Sequence, residues 1–72
     1  MAADLRELGG NIRRTRTSLG MTQERLAELA DINARSVRRI EAGEINLLIT
    51  TVARIRRALD SRWEDLVPDD WK

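Results

Sequence analysis

The chain contains neither histidine nor cysteine. Without cysteine there is no disulfide to staple the fold and no thiolate to hold a metal. Without histidine there is no imidazole general base, no Ser-His triad and no histidine ligand for zinc. No apolar run approaches the roughly 20 residues of a membrane-spanning helix, and the N-terminus lacks a signal-peptide pattern, so a soluble, cytoplasmic protein without membrane contact is expected. There is no nucleotide-binding glycine loop, and the acidic residues match no catalytic spacing. An enzyme is therefore not expected, and neither is a cofactor or a metal.

What remains is charge and helical periodicity. Seventy-two residues make a single domain, 1–72, near the lower end of what folds alone. A chain of this size buries only about 60% of its unfolded surface, so its helices must pack well or it must dimerise. The formal net charge is +1, unevenly spread: residues 1–62 carry twelve arginines against eight acids, or +4, and residues 63–72 carry four acids and one lysine, or −3. A basic body with an acidic tail at 68–72 is compatible with a nucleic-acid-binding face placed away from the C-terminus. Twelve of the thirteen basic residues are arginine, whose planar fork of donors suits phosphates and guanine edges. GC-rich coding enriches arginine everywhere, so the ratio by itself is not a signature.

No stretch alternates apolar and polar residues as a strand would, and the fold class is all-α. Leu5, Leu8, Ile12 and Leu19 recur at helical spacing, with Asp4 as N-cap and Gly20 as stop. Gly9 and Gly10 weaken this helix by about 1 kcal/mol each against alanine, so a start near Leu8 is the alternative. Thr22 caps a second helix, Gln23 to Ala30, with Leu26, Ala27 and Ala30 inward. In "ADIN", Asp31 tolerates positive φ, Ile32 is an apolar plug and Asn33 is an N-cap: a tight turn between two short helices. A third helix runs from about Ala34 to Ala42 and ends at Gly43. A fourth, about Thr50 to Leu59, turns Val52, Ile55 and Leu59 inward, and a fifth, about Trp63 to Val67, stops at Pro68.

Two short helices joined by a tight turn, the second basic on its outer face, form a helix-turn-helix pattern. The stretch "LGMTQERLAELADINARSVRRIEAGE" resembles the helix-turn-helix of phage repressor and Cro-type (XRE-like) DNA-binding domains. Gln23, Leu26, Ala27, Ile32, Val37, Ile40, Glu41 and Gly43 fall in the family's register. With "LLITTVARIRRALDSRWEDL" resembling the last two helices, the likeness covers about residues 8–67. It implies a compact five-helix domain of the phage repressor type, its helix-turn-helix formed by helices 2 and 3.

The resemblance also implies roles. Gln23 would bind a DNA phosphate, helped by the amides at the helix N-terminus. Ala34, Arg35 and Arg39, with Arg38 at the margin, would meet base edges in the major groove. Helix geometry agrees independently: Val37 and Ile40, three apart, face the core, so positions 35, 38, 39 and 42 point away. Asn33 would cap the third helix and touch a phosphate. Arg13 and Arg14 either approach a phosphate from the first helix or form a solvated surface. Arg16 lies on the side of helix one that carries Ile12 and Leu19. The family often pairs this position with the glutamate before the helix-three glycine, which implies a partly buried Arg16–Glu41 ion pair.

Some residues depart from the family pattern. Asp31 and Asp60 stand where the family favours glycine. The loop after Gly43, commonly basic and phosphate-binding in the family, begins Glu44-Ile45 and continues unusually apolar, leaving Leu47 and Leu48 either in the core or at an interface. Trp63 matches a core position, whereas Trp71 is free to fold back, join a dimer contact or stay exposed. The expected function is a sequence-specific transcriptional regulator of double-stranded DNA, acting as a homodimer because one small monomer makes too few contacts. It would bind a palindromic operator whose half-sites lie roughly 34–36 Å apart. The alternative, favoured by the acidic tail and apolar loop, is an interaction module such as an antitoxin or adaptor that binds a protein partner, with DNA binding secondary or lost.

Overall fold

The computed structural model describes residues 2–71, in which five α-helices follow one another: α1 (Ala2–Ser18), α2 (Gln23–Ala30), α3 (Ala34–Glu41), α4 (Ile49–Leu59) and α5 (Trp63–Leu66). A 3₁₀ turn, Asp69–Trp71, follows, and no strand occurs among the described residues. Lys72, the end of the acidic tail, lies outside them. Each helix contributes a stripe at 3.6-residue spacing to one core: Leu8 and Ile12 from α1, Leu26, Ala27 and Ala30 from α2, Val37 and Ile40 from α3. Val52, Ile55 and Leu59 of α4 and Leu66 of α5 complete it. α3 packs on both α2 and α1, α4 closes the core against α2, and α5 lies on α1. Asn11 of α1 fastens α5 by donating from Nδ2 to the Leu66 carbonyl at 2.9 Å.

The helix ends are set locally. Thr22 Oγ1 accepts from the Arg25 amide at 3.0 Å and Asn33 Oδ1 from the Ser36 amide at 2.8 Å, so both helices of the helix-turn-helix start on a side-chain cap. The first four helices share one C-terminal device. A left-handed residue follows each: Gly20 (φ 67°), Asp31 (φ 58°), Gly43 (φ 72°) and Asp60 (φ 50°). Its own amide and that of the residue after it turn back to the last-turn carbonyls in the Schellman pattern. At α2 these bonds are Asp31 N to Glu28 O at 3.3 Å and Ile32 N to Ala27 O at 3.0 Å. The residue after the left-handed one plugs the core at α1 and α2, where Met21 and Ile32 are half-buried against it.

Three expectations for α1 do not hold. The helix is already formed at Ala2, so Asp4 sits in its first turn, where a carboxylate favours the helix dipole, rather than capping it. The two glycines do not interrupt it because one of them is where α1 touches α3. An added Cβ at Gly9 would stand 2.2 Å from the Ile40 carbonyl oxygen and 2.8 Å from that of Glu41, whereas at Gly10 it would meet nothing within 4 Å. Leu19, expected inward, is 54% exposed. It lies in the turn after Ser18, and the buried stripe Leu8–Ile12 continues four residues on with Arg16 instead.

The C-terminal half divides the apolar loop. Leu47 is half-buried against the core, while Leu48 and Ile49 are 73% and 64% exposed. Trp63 is half-buried on the edge of the core rather than inside it, and Trp71 is 45% exposed. Together with Leu5, Ile49 and Val52, the two tryptophans and Leu47 line a hollow of about 530 Å³ between the start of α1 and the loop 43–49.

Candidate nucleic-acid interface

The interface is built on α3. Its buried residues are Val37, Ile40 and Glu41, and its opposite face is arginine: Arg35, Arg38 and Arg39 are all exposed. The Arg35 side chain, in the first turn beside the Asn33 cap, makes no hydrogen bond or ion pair among the described residues. Arg38 Nη1 lies 3.6 Å from Glu24 Oε2 of α2, and Arg39 Nε lies 3.8 Å from Glu44 Oε1 of the following loop. Exposed pairs at these distances are weak, about 0–1 kcal/mol, so they bias rotamers without locking the side chains away from a ligand. Ala34 is half-buried and packs partly against the core.

Behind this face lies the ion pair that ties three helices together. Arg16 reaches Glu41 with two parallel bonds, Nε to Oε2 at 2.7 Å and Nη2 to Oε1 at 3.0 Å. The Glu41 side chain is 3% exposed and that of Arg16 10%. The bidentate bond holds the Arg16 guanidinium further above its already high range; burial opposes this and loses to the hydrogen bonds. A third donor from Arg16, Nη1, satisfies the Met21 carbonyl at 2.7 Å, at the turn between α1 and α2. Gln23, at the first position of α2, donates from Nε2 to Glu41 Oε1 at 3.0 Å. A carboxylate only accepts, so this contact fixes which end of the Gln23 amide turns inward and leaves its carbonyl oxygen and second N–H for outside partners.

The structure gathers some of the expected phosphate contacts and separates others. Gln23 and Asn33 stand at the starts of α2 and α3. Arg13 is exposed on the stripe Arg6–Gly9–Arg13–Arg16, which runs along the side of α1 that touches α3 and the loop after it. Arg14, at 100° per residue, is turned about 200° from Arg16. It donates from Nη2 to Asn11 Oδ1 at 2.8 Å and borders a polar hollow with Glu7, Glu64, Asp65 and Asp69, on the α5 side of the molecule. It is therefore not brought together with α3. Arg6, by contrast, has no place in the sequence reading yet packs against Gly43, where an added Cβ would meet its Cγ at 2.7 Å. The spacing 6, 9, 13, 16 is the signal that places it.

Comparison with known proteins agrees with this geometry. The helix-turn-helix family HTH_3 matches residues 12–66. Among solved structures, the chain is similar to the restriction-modification controller protein C.AhdI from Aeromonas hydrophila, with a TM-score of 0.86 and 33% identity over 89% of this chain and 97% of that one. It is similar to the clp gene regulator ClgR from C. glutamicum (TM-score 0.80, 28% identity, 86% of this chain, 82% of that one). The wild-type restriction-modification controller protein C.Esp1396I is comparable (TM-score 0.80, 29% identity, 86% and 85%). No curated protein sequence matches the chain. With a family match over most of its length and α3 offering an arginine face beside two capped helix starts, the chain belongs to the XRE-type helix-turn-helix family of DNA-binding transcription regulators.

Proposed function

We propose that this protein regulates transcription in the cytoplasm by binding double-stranded DNA sequence-specifically, as a homodimer on a palindromic operator, with α3 in the major groove. The observation that carries this reading is the division of α3: Val37, Ile40 and Glu41 hold it to the fold, and Arg35, Arg38 and Arg39 are left outward. Arg35 and Arg39 read guanine through bidentate contacts, with Arg38 and the Ala34 methyl at the margin. Gln23, Asn33 and Arg13 fix the register on the phosphates, the first two beside helix N-termini. Arg14, turned toward α5, takes no part. The exposed apolar residues Ile49 and Trp71, which line the hollow, and the exposed Leu48 beside Ile49 support a dimer surface formed by the loop and the C-terminal segment. They equally favour the second reading, a module that docks a protein partner there. No catalytic reaction is assigned.

Selection from random duplexes, followed by fluorescence titration, tests the proposal. The expected result is a palindromic site bound more tightly than random duplex, with affinity that falls as salt rises. Arg35→Ala and Arg39→Ala lose that preference, and Arg57→Ala on the outer face of α4 retains it. A folded protein that binds no duplex at 50 mM salt leaves only the protein-docking reading.

A further inference from the structure

The loop after α3 carries an acid where a DNA-binding loop of this kind gains from a base. Glu44 is held in place by two independent constraints. Its backbone amide donates to the Arg39 carbonyl at 3.0 Å, and the Gly43 amide donates to that of Ile40 at 3.0 Å, completing the Schellman turn. Gly43 cannot acquire a side chain without a shift, because at φ 72° its α-carbon faces the Arg6 backbone, 2.9 Å from an added Cβ. The Schellman geometry brings the residue after the left-handed one next to the third residue from the helix end. At α1 and α2 that residue is apolar, Met21 and Ile32, and packs on the core. At α3 it is Glu44, 61% exposed in its side chain, and the residue it meets is Arg39. An ion pair stands where the turns after α1 and α2 place an apolar plug.

The atom that is engaged matters. Glu44 approaches Arg39 through Nε, the inner nitrogen, at 3.8 Å. The edge formed by the two terminal nitrogens stays open, and it can donate to guanine O6 and N7 together. Glu24 acts differently on Arg38, approaching Nη1, a member of that terminal edge. One acid leaves its arginine's fork free; the other occupies part of it.

We propose that Glu44 is a positioning residue for base recognition, its carboxylate drawing the Arg39 guanidinium by its Nε side and so biasing its rotamers toward those that turn the terminal edge to the groove for guanine. The inference rests on the reading of Arg39 as a base-contacting residue. Its physical content is preorganisation: an arginine with fewer rotamers open to it loses less freedom on binding and tolerates a wrong base less well. The same carboxylate repels phosphates, so an acid in this loop lowers affinity for all duplexes while sharpening the choice among them.

The test measures base preference at each operator position for the wild type, Glu44→Ala, Glu44→Gln and both in an Arg39→Ala background. An intact bidentate contact discriminates guanine by about one to two orders of magnitude. Glu44→Ala is expected to lower that discrimination by up to about fivefold at one base pair of each half-site, the most an exposed pair of this kind supplies, while binding to random duplex tightens. Glu44→Gln, which removes the same charge at nearly constant shape, is expected to lose as much discrimination as Glu44→Ala, because at 3.8 Å the contact is a charge attraction and not a hydrogen bond. Neither change moves that base pair further once Arg39 is alanine. If both variants tighten binding to every duplex equally and guanine preference is unchanged, Glu44 is only a repulsive charge and the inference falls while the DNA-binding reading stands. A wild-type protein without base preference at any position overturns both.

Discussion

Replacing Arg16 with methionine strands a carboxylate. The Glu41 side chain is 3% exposed, and among the described residues its donors are Arg16, through two bonds, and Gln23 Nε2 at 3.0 Å. Arg16→Met removes the charged pair of donors, leaves one neutral one, and also orphans the Met21 carbonyl that Arg16 Nη1 satisfies. Breaking a buried pair by removing one partner costs about 3–5 kcal/mol. At roughly 0.05–0.15 kcal/mol per residue, a domain of this length is stable by about 4–11 kcal/mol, so the variant stands near the unfolding threshold. Urea denaturation followed by circular dichroism reads this directly: with a slope of about 1 kcal/mol per molar for a small domain, the midpoint falls by about 3–5 M. The double variant Arg16→Met, Glu41→Leu removes both charges and is expected to recover most of the loss, because apolar replacement of a buried pair is often neutral or stabilising. The stabilisation by the pair does not titrate away at moderate alkalinity. The guanidinium is held above its ordinary range, so its contribution is complete below the unfolded value and is lost only as pH rises through the higher folded one. A loss below about 1 kcal/mol in the single variant, or a double variant equal to the sum of the two singles, refutes the assignment of Arg16–Glu41 as the tie between α1 and α3.

The two adjacent glycines of α1 respond in opposite directions to alanine. Gly10→Ala, with open space around it, raises stability by about 0.5–1 kcal/mol, whereas Gly9→Ala forces α1 off the α3 carbonyls and costs about 1–3 kcal/mol or more; thermal melts of the two compared with wild type decide it. Asp60→Gly relieves a left-handed aspartate and raises the melting temperature slightly, by about 2–4 °C for about 0.5 kcal/mol. If Leu48, Ile49 and Trp71 form the dimer surface, Ile49→Ser lowers the mass measured by light scattering at micromolar protein and weakens operator binding, with the helical spectrum unchanged. An unchanged mass for Ile49→Ser and for Trp71→Ala removes that surface from the dimer.

Where a structural feature depends on a few neighbouring residues, the sequence carries it in full. Thr22 and Asn33 announce the starts of α2 and α3, and Asp31 and Gly43 their ends, because caps and left-handed positions are chosen by local chemistry. The inward residues of α2, α3 and α4 follow from period alone. The Arg16–Glu41 pair is legible only through the family register, since nothing local links positions 25 residues apart. What escapes is decided by neighbours distant in sequence. Gly9 reads as a helix weakness until α3 is laid against it, and its missing side chain is then the reason the helices can meet. Leu19 has the right spacing for the core but falls beyond the last turn, where Arg16 has already taken the stripe. Leu47 and Leu48 are identical in type and adjacent, and only the path of the loop separates half-buried from exposed. Arg14 shares its charge with Arg13, yet one residue of helical rotation sends it to the α5 side.

The distribution of charge around α3 also bears on how such a protein would choose its site. A strongly basic surface draws most of its affinity from phosphates, which every sequence offers alike, and that share falls with salt as counterions are released. Here the proposed phosphate contacts are mostly neutral: the Gln23 amide, the Asn33 side chain and the helix-start amides release few counterions. Arg13, and Arg6 if it reaches the backbone beside Gly43, are the cations available on the α3 side of α1, and Arg38 and Arg39 stand beside Glu24 and Glu44. About two cationic phosphate contacts per protomer, or four in a dimer, give a slope near −3.6 in a plot of log affinity against log salt, roughly a two-decade loss between 50 and 200 mM. Proteins with six to ten such contacts lose about three to five decades over the same interval. A shallow slope leaves less non-specific binding to compete with the operator, so the burden of recognition shifts to the base edges. On this surface it rests on the two arginines whose terminal edges are open, Arg35 without any partner among the described residues and Arg39 held by its inner nitrogen.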